Sequence, residues 1–155
     1  MKAQEIRDAI AASQELQALV PDTTALAAAL SVGRTEVYSR LVSARGMAAD
    51  YFGGPVGAEV ILMKLEGAAT ALKASPTQSD KVLGSLIARQ LGFLAGDGLD
   101  FGSPALRGML DQFAAGGILT ADEVAGLKAI ATRPAPISEY DVRHAIHNDN
   151  GTLKV

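Results

Sequence analysis

The sequence predicts an all-α fold, a compact bundle of about six to eight short helices followed by a C-terminal arm. Three observations carry that expectation. Alanine and leucine dominate while β-branched residues are thin, a composition of good helix formers. Glycine or proline interrupts the chain at regular intervals, as short interhelical connections require. No run reads as a paired sheet strand.

A first helix is expected from Ala3 to Leu19, with Ile6, Ile10, Leu16 and Leu19 on or near one face. Pro21 stops it, because the residue before proline is pushed out of the α region. Asp22 caps a second helix through Leu30, which breaks at Ser31-Val32-Gly33. A third runs from Arg34 to about Tyr51 and ends at Gly53-Gly54-Pro55. Pro55 suits the first turn of a fourth, Val56 to Lys73, whose Val60, Met63, Ala69 and Leu72 mark it as the core helix.

Ser75 to Ser79 is a polar turn, and Asp80 caps a fifth helix to about Ala95. Its stripe of Val82, Leu83, Leu86, Ile87, Leu91 and Leu94 is broad enough to demand burial. Gly96 to Gly102 is a loop, and Ser103-Pro104 starts a sixth helix that Gly116-Gly117 closes. Thr120-Ala121-Asp122-Glu123 is a capping box, in which hydroxyl and carboxylate each satisfy an exposed N–H at the start of a seventh helix to Ala131. Pro134 and Pro136 form a stiff connector to a short helix, Ser138 to Ile146. A turn at Asn148-Asp149-Asn150-Gly151 and a polar tail, Thr152 to Val155, follow.

This organisation divides the chain into a helical body, residues 1–133, and an arm, residues 134–155. Within the body, 1–52 hold the N-terminal helices and 55–133 the core helices. No residue pattern recurs at the 25-residue spacing of some helices, so a solenoid is not expected. The arm has too little apolar surface to fold alone and should dock on something. Ile137, Tyr140, Val142, Ile146 and Leu153 are its candidate partner contacts. Docking in trans and packing back on the chain's own body both remain open.

The composition narrows function mainly by exclusion. The 155 residues carry a formal net charge of -3, which gives no global basic surface for nucleic acid. There is no cysteine, so disulfides, thiolate metal sites and cysteine nucleophiles are absent. The opening MKAQEIRDAI reaches Glu5, Arg7 and Asp8 before any apolar run, and Val60-Ile61-Leu62-Met63 stops at Lys64. Neither has the character of a signal peptide or a membrane span, and a soluble protein is expected.

The sharpest local pattern runs from Leu26 to Leu41 and is similar to the helix-turn-helix of bacterial repressors. There a second helix enters the major groove by its first turn, and Arg34, Thr35, Tyr38 and Arg40 would be the DNA contacts. Two details oppose this. Ser31 stands at the turn position usually held by glycine, and Glu36 would face phosphates. An alanine-rich packing hairpin fits the same residues.

His144 and His147 stand three apart beside Asp141 and Asp149, a poor spacing for a helical metal pair that lacks a third strong ligand. Gly96 to Gly102 imitates a phosphate loop, but a helix precedes it and its aspartates repel phosphate. No serine has a nucleophile context, and Asp22, Asp80, Asp122 and Glu123 are explained by helix dipoles. No catalytic, cofactor-binding or metal-ligating residue is assigned.

Across most of its length the chain resembles a family of small helical proteins encoded in the structural gene clusters of tailed bacteriophages and prophages. The resemblance rests on Glu5-Ile6-Arg7-Asp8-Ala9-Ile10, on Ala28 to Thr35, and on Leu119-Thr120-Ala121 leading to Leu127-Lys128-Ala129. Ile137 to Arg143 and Asn148-Asp149-Asn150-Gly151 add to it. It transfers no functional residue. It implies a non-enzymatic virion or assembly protein of the head–tail junction or tail, made in the host cytoplasm. Such a protein would be oligomeric and bound to other phage structural proteins, with no membrane partner. The other expectations are a DNA-binding regulator, with nucleic acid as partner in that case alone, and a helical interaction protein such as an assembly chaperone or host-takeover factor.

Overall fold

The computed structural model describes residues 2–147 and 152–153. Among these, nine helices and four short strands form a predominantly helical fold. The helices are α1 (Ala3–Ala12), α2 (Gln14–Ala18), α3 (Thr23–Ser31), α4 (Ala44–Asp50), α5 (Gly54–Ala74), α6 (Gln78–Ala95), α7 (Pro104–Ala115), α8 (Ala121–Ala129) and α9 (Glu139–Ile146). The strands are β1 (Thr35–Val37), β2 (Leu41–Val42), β3 (Leu99–Asp100) and β4 (Thr132–Pro134); β1 pairs with β4, and β2 runs antiparallel to β3. Among the described residues, no helix is long and apolar enough to cross a membrane. The chain divides into two compact units, Met1–Glu36 with Pro134–Val155, and Val37–Arg133.

Three helix starts follow from local sequence. The Asp22 carboxylate accepts the N–H groups of Thr24 and Ala25 at the head of α3. Thr120 and Glu123 exchange both bonds of the capping box at α8, and the Ser138 hydroxyl accepts from the Asp141 N–H at α9. Each removes an N–H that the helix itself leaves unpaired.

The first helix is two. Ser13 leaves the helical conformation and its hydroxyl accepts the Leu16 N–H, so a serine that competes for backbone groups restarts the chain as α2. The helix expected from Arg34 to Tyr51 survives only as α4. Residues 35–42 are extended because tertiary partners supply their hydrogen bonds. The Tyr38 N–H donates to the Ala131 carbonyl (3.1 Å), and the Arg40 N–H donates to the Asp100 carboxylate (2.8 Å). The Gly96 to Gly102 loop supplies β3 for the same reason, and a strictly all-α expectation is corrected to this extent.

The arm is also redrawn. Residues from 134 onward belong to one unit with residues 1–36, so the division at 133 does not separate a body from an appendage. Ile137, Val142, Ala145 and Ile146 join Ile6, Ile10, Leu26 and Ala27 in one apolar core. Arg7 donates to the Ala145 carbonyl (3.1 Å), and the Ile137 N–H donates to the Ser31 hydroxyl (2.8 Å). The expected Asn148 to Gly151 turn lies outside the described residues.

In the other unit α5 and α6 form a long antiparallel hairpin, and α4, α7 and α8 complete the core. Replacing Ile146 with alanine empties fully enclosed space, so Ile146→Ala should lower unfolding free energy by about 2–5 kcal/mol in urea titrations. An unchanged midpoint would show that the Ile6–Ile146 core does not hold residues 134–147 in place.

Candidate interaction surface

On α5 the buried residues are Ala58, Ile61, Leu65 and Ala69, and on α6 they are Gly84, Ile87 and Leu94. The inward face of α5 is thus rotated from the expected one. Val60 and Met63 point out, Leu72 is half-buried, and only Ala69 of that set is enclosed. On α6, Val82 and Leu86 are likewise exposed. The helices are apolar around most of their circumference, so hydropathy does not choose a face. Small residues choose it, because Gly84 meets the α5 backbone at Ala69 and Lys73.

Two apolar stripes remain in solvent. Val56 (77% exposed), Val60 and Met63 (63%) repeat at i, i+4 and i+7 along α5. Val82 (59% exposed), Leu86 and Phe93 (46%) repeat at i, i+4 and i+11 along α6. Singly exposed apolar residues are ordinary, whereas aligned ones mark contact surfaces.

Charges accompany each stripe. Glu59 and Glu66 are exposed on α5, and Lys81 and Arg89 on α6. The opposite charges nearby are engaged elsewhere: Lys64 pairs with Glu123 (2.6 Å), and Asp80 accepts from the Ser75 hydroxyl (2.6 Å). Within Val56–Gly67 and Val82–Phe93 that leaves α5 acidic and α6 basic, while the exposed Lys73 lies beyond the α5 stripe. The hydrogen bond from Lys64 and those from Thr120 hold the Glu123 carboxyl below its ordinary range.

The residues singled out from sequence do not converge. Ile137, Val142 and Ile146 are core, while Tyr140 is exposed with its ring stacked on His144 (4.9 Å) and Leu153 is exposed and bridged to His147. For the DNA reading, Arg34 and Thr35 flank or begin β1, and no recognition helix exists at this position. Tyr38 lies under the Arg133 guanidinium (5.0 Å). Arg40 donates to the Ile130 carbonyl (2.8 Å) and to Asp50 (2.6 Å). With Arg107 on the Lys128 carbonyl (2.9 Å), two arginines neutralise the C-terminal end of α8. Their task is structural.

Among the described residues, no group of three or more His, Asp or Glu side chains gathers where a metal ion could be held. Asp100 is a structural acceptor: its carboxylate takes the N–H of Arg40, the hydroxyl of Ser39 and the N–H of Gly102, which hold it below its ordinary pKa. The apolar cavity between Met47, Ile61, Ile87, Leu110 and Phe113 measures about 30 Å³, too little for an organic ligand. An open groove of about 510 Å³ between α6 and α7 is lined by Leu86, Gln90, Ser103, Leu106, Met109 and Gln112. Asp100 also lines it, with its carboxylate bound to Arg40, Ser39 and Gly102.

The fold and its surface define a class no narrower than a helical protein with an amphipathic two-helix hairpin. Comparisons with models of known protein families, with curated proteins and with solved structures give no match to this chain.

Two measurements check these assignments. Glu123, with its folded pKa lowered from 4.5, adds stability that is present above its ordinary pKa and is lost as pH falls through the folded value. Urea midpoints should therefore drop on acidification, and Glu123→Gln should flatten that limb. Equal pH profiles would remove Glu123 as its source. In fluorescence anisotropy with duplex DNA at about 50 and 200 mM salt, no salt-steepened binding is expected, whereas a true DNA binder loses orders of magnitude in affinity. Tight binding at the lower salt, abolished by Arg34→Ala, would restore the regulator reading.

Proposed function

We propose that this chain is a non-enzymatic structural or assembly protein of a tailed-bacteriophage particle, of the head–tail junction or tail, that works through protein–protein contacts in an oligomeric assembly. The observation that carries the contact role is the pair of exposed apolar stripes on α5 and α6, the first beside Glu59 and Glu66 and the second beside Lys81 and Arg89. The particle assignment rests on the resemblance of the sequence motifs to phage structural proteins.

The chemistry of the surface agrees with this reading. The arginines and aspartates best placed to act on a substrate, Arg40, Arg107 and Asp100, are bound to backbone groups of the fold. What the surface offers is apolar area and charge, the ingredients of association. The helix-turn-helix alternative keeps no second helix, since Thr35–Val37 is a strand, and it is not carried further.

The test is particle composition. Phage particles from a host carrying this gene, banded by density and digested for mass spectrometry, should contain the chain at a fixed ratio to the major tail or neck proteins. A chain abundant in the lysate and missing from banded particles would overturn the virion reading.

A further inference from the structure

We infer that the α5 stripe of one copy docks antiparallel on the α6 stripe of a second copy, so that the chain self-associates head to tail. The inference rests on the contact role proposed above and names the partner. It does not depend on the particle assignment.

Lengths match first. Val56 to Gly67 on α5 and Val82 to Phe93 on α6 each span about 16 Å at 1.5 Å per residue. An antiparallel arrangement then brings four pairs to within a residue or two of a common register. Val56 meets Phe93, Glu59 meets Arg89, Met63 meets Leu86, and Glu66 meets Lys81. Both ends and the middle agree, and no like charges face one another in that alignment. A parallel arrangement that sets Glu59 by Lys81 carries Phe93 past Gly67 to Ala71, and sets Val56 against the polar Gln78 at the start of α6.

The steric detail points the same way. A side chain added at Gly92 or at Gly67 would meet nothing within 4 Å. Gly92 leaves room beside Phe93 for the incoming Val56, and Gly67 leaves room beside Glu66 for the incoming Lys81. Among the described residues, the side chains of Glu59, Glu66, Lys81 and Arg89 make no ion pair within the chain, so pairing breaks no existing bridge. Apolar contact supplies the attraction, while the two charge pairs fix register and select the acidic face for the basic one.

Because the two faces differ, every copy carries one of each. Such a contact is heterologous, and it propagates into a ring or a filament rather than stopping at a two-fold dimer.

Sedimentation velocity of the full chain over a range of concentrations tests this. The wild type should form species larger than a monomer, and added salt should weaken them. Met63→Glu and Leu86→Glu, both at exposed positions, should each shift the association midpoint upward by about tenfold or more while circular dichroism stays unchanged. Mixed in equal amounts they should form a one-to-one dimer, because the Leu86→Glu copy keeps a working α5 face and the Met63→Glu copy a working α6 face. Glu59→Arg or Arg89→Glu alone should weaken association, and the two together in one chain should restore it. A wild type that stays monomeric to its solubility limit would overturn the inference, as would variants that associate like wild type or a mixture that stays monomeric. Particle composition reads the proposed function separately: a chain absent from particles yet self-associating through these faces would sink the virion reading and leave this one standing.

Discussion

A Cβ placed on residue 84 would sit 2.8 Å from the Ala69 carbonyl oxygen and 2.8 Å from the Lys73 nitrogen, so α5 and α6 meet there backbone to backbone. Ala58 and Ala69 share the inward face of α5 with Ile61 and Leu65. With those faces turned inward, Val56, Val60, Met63, Val82 and Leu86 lie on the opposite sides of their helices and stay in solvent. The surface that the functional proposal uses is therefore set by which face each helix gives to the hairpin. Its apolar area lies on the outside, where another molecule can cover it.

A second constraint organises the short strands. α8 ends on carbonyls that the helix cannot pair, and Arg40, Arg107 and the Thr132 hydroxyl take those of Ile130 and Lys128. Arg40 is placed for this by its own N–H, which donates to Asp100. One aspartate and two arginines thus fasten an extended segment, a loop and a helix end. A helix from Arg34 onward would break the Arg40 bonds to Asp100 and Ile130 and the Tyr38 bond to Ala131, which is why good local helix formers there do not form one.

What was legible in the sequence was local. Asp22 and Thr120 with Glu123 act on N–H groups two or three residues away, so their capping roles could be read without knowing the fold. Asp80, expected as a cap, instead sits inside the first turn of α6 and accepts from the Ser75 hydroxyl. Pro55 and Pro104 marked the first turns of α5 and α7 in the same way. The strands were illegible because their partners lie far along the chain, Arg40 with Asp100 and Tyr38 with Ala131. For residues 134–155 the sequence leaves two dockings open, because the core that Val142 and Ile146 join, at Ile6, Ile10 and Leu26, is announced by no pattern within that segment. Val60, Met63, Val82 and Leu86 are expected inward from the sequence, because hydropathy does not report which side a glycine permits another helix to approach.

Ile6 and Ile146 share one core across nearly the whole chain, while Val37–Arg133 is spun out between the two halves of that unit. Ribosomal synthesis is vectorial, so α1 and α3 emerge with their apolar faces bare and wait for α9. At about 5–20 residues per second, the intervening stretch takes on the order of ten seconds to make. During that interval Ile6, Ile10 and Leu26 lack their mates, and a helix of similar character from another nascent chain could pair with them first. The order of folding is imposed by the order of the segments: Val37–Arg133 has all its residues before the unit that encloses it in sequence does.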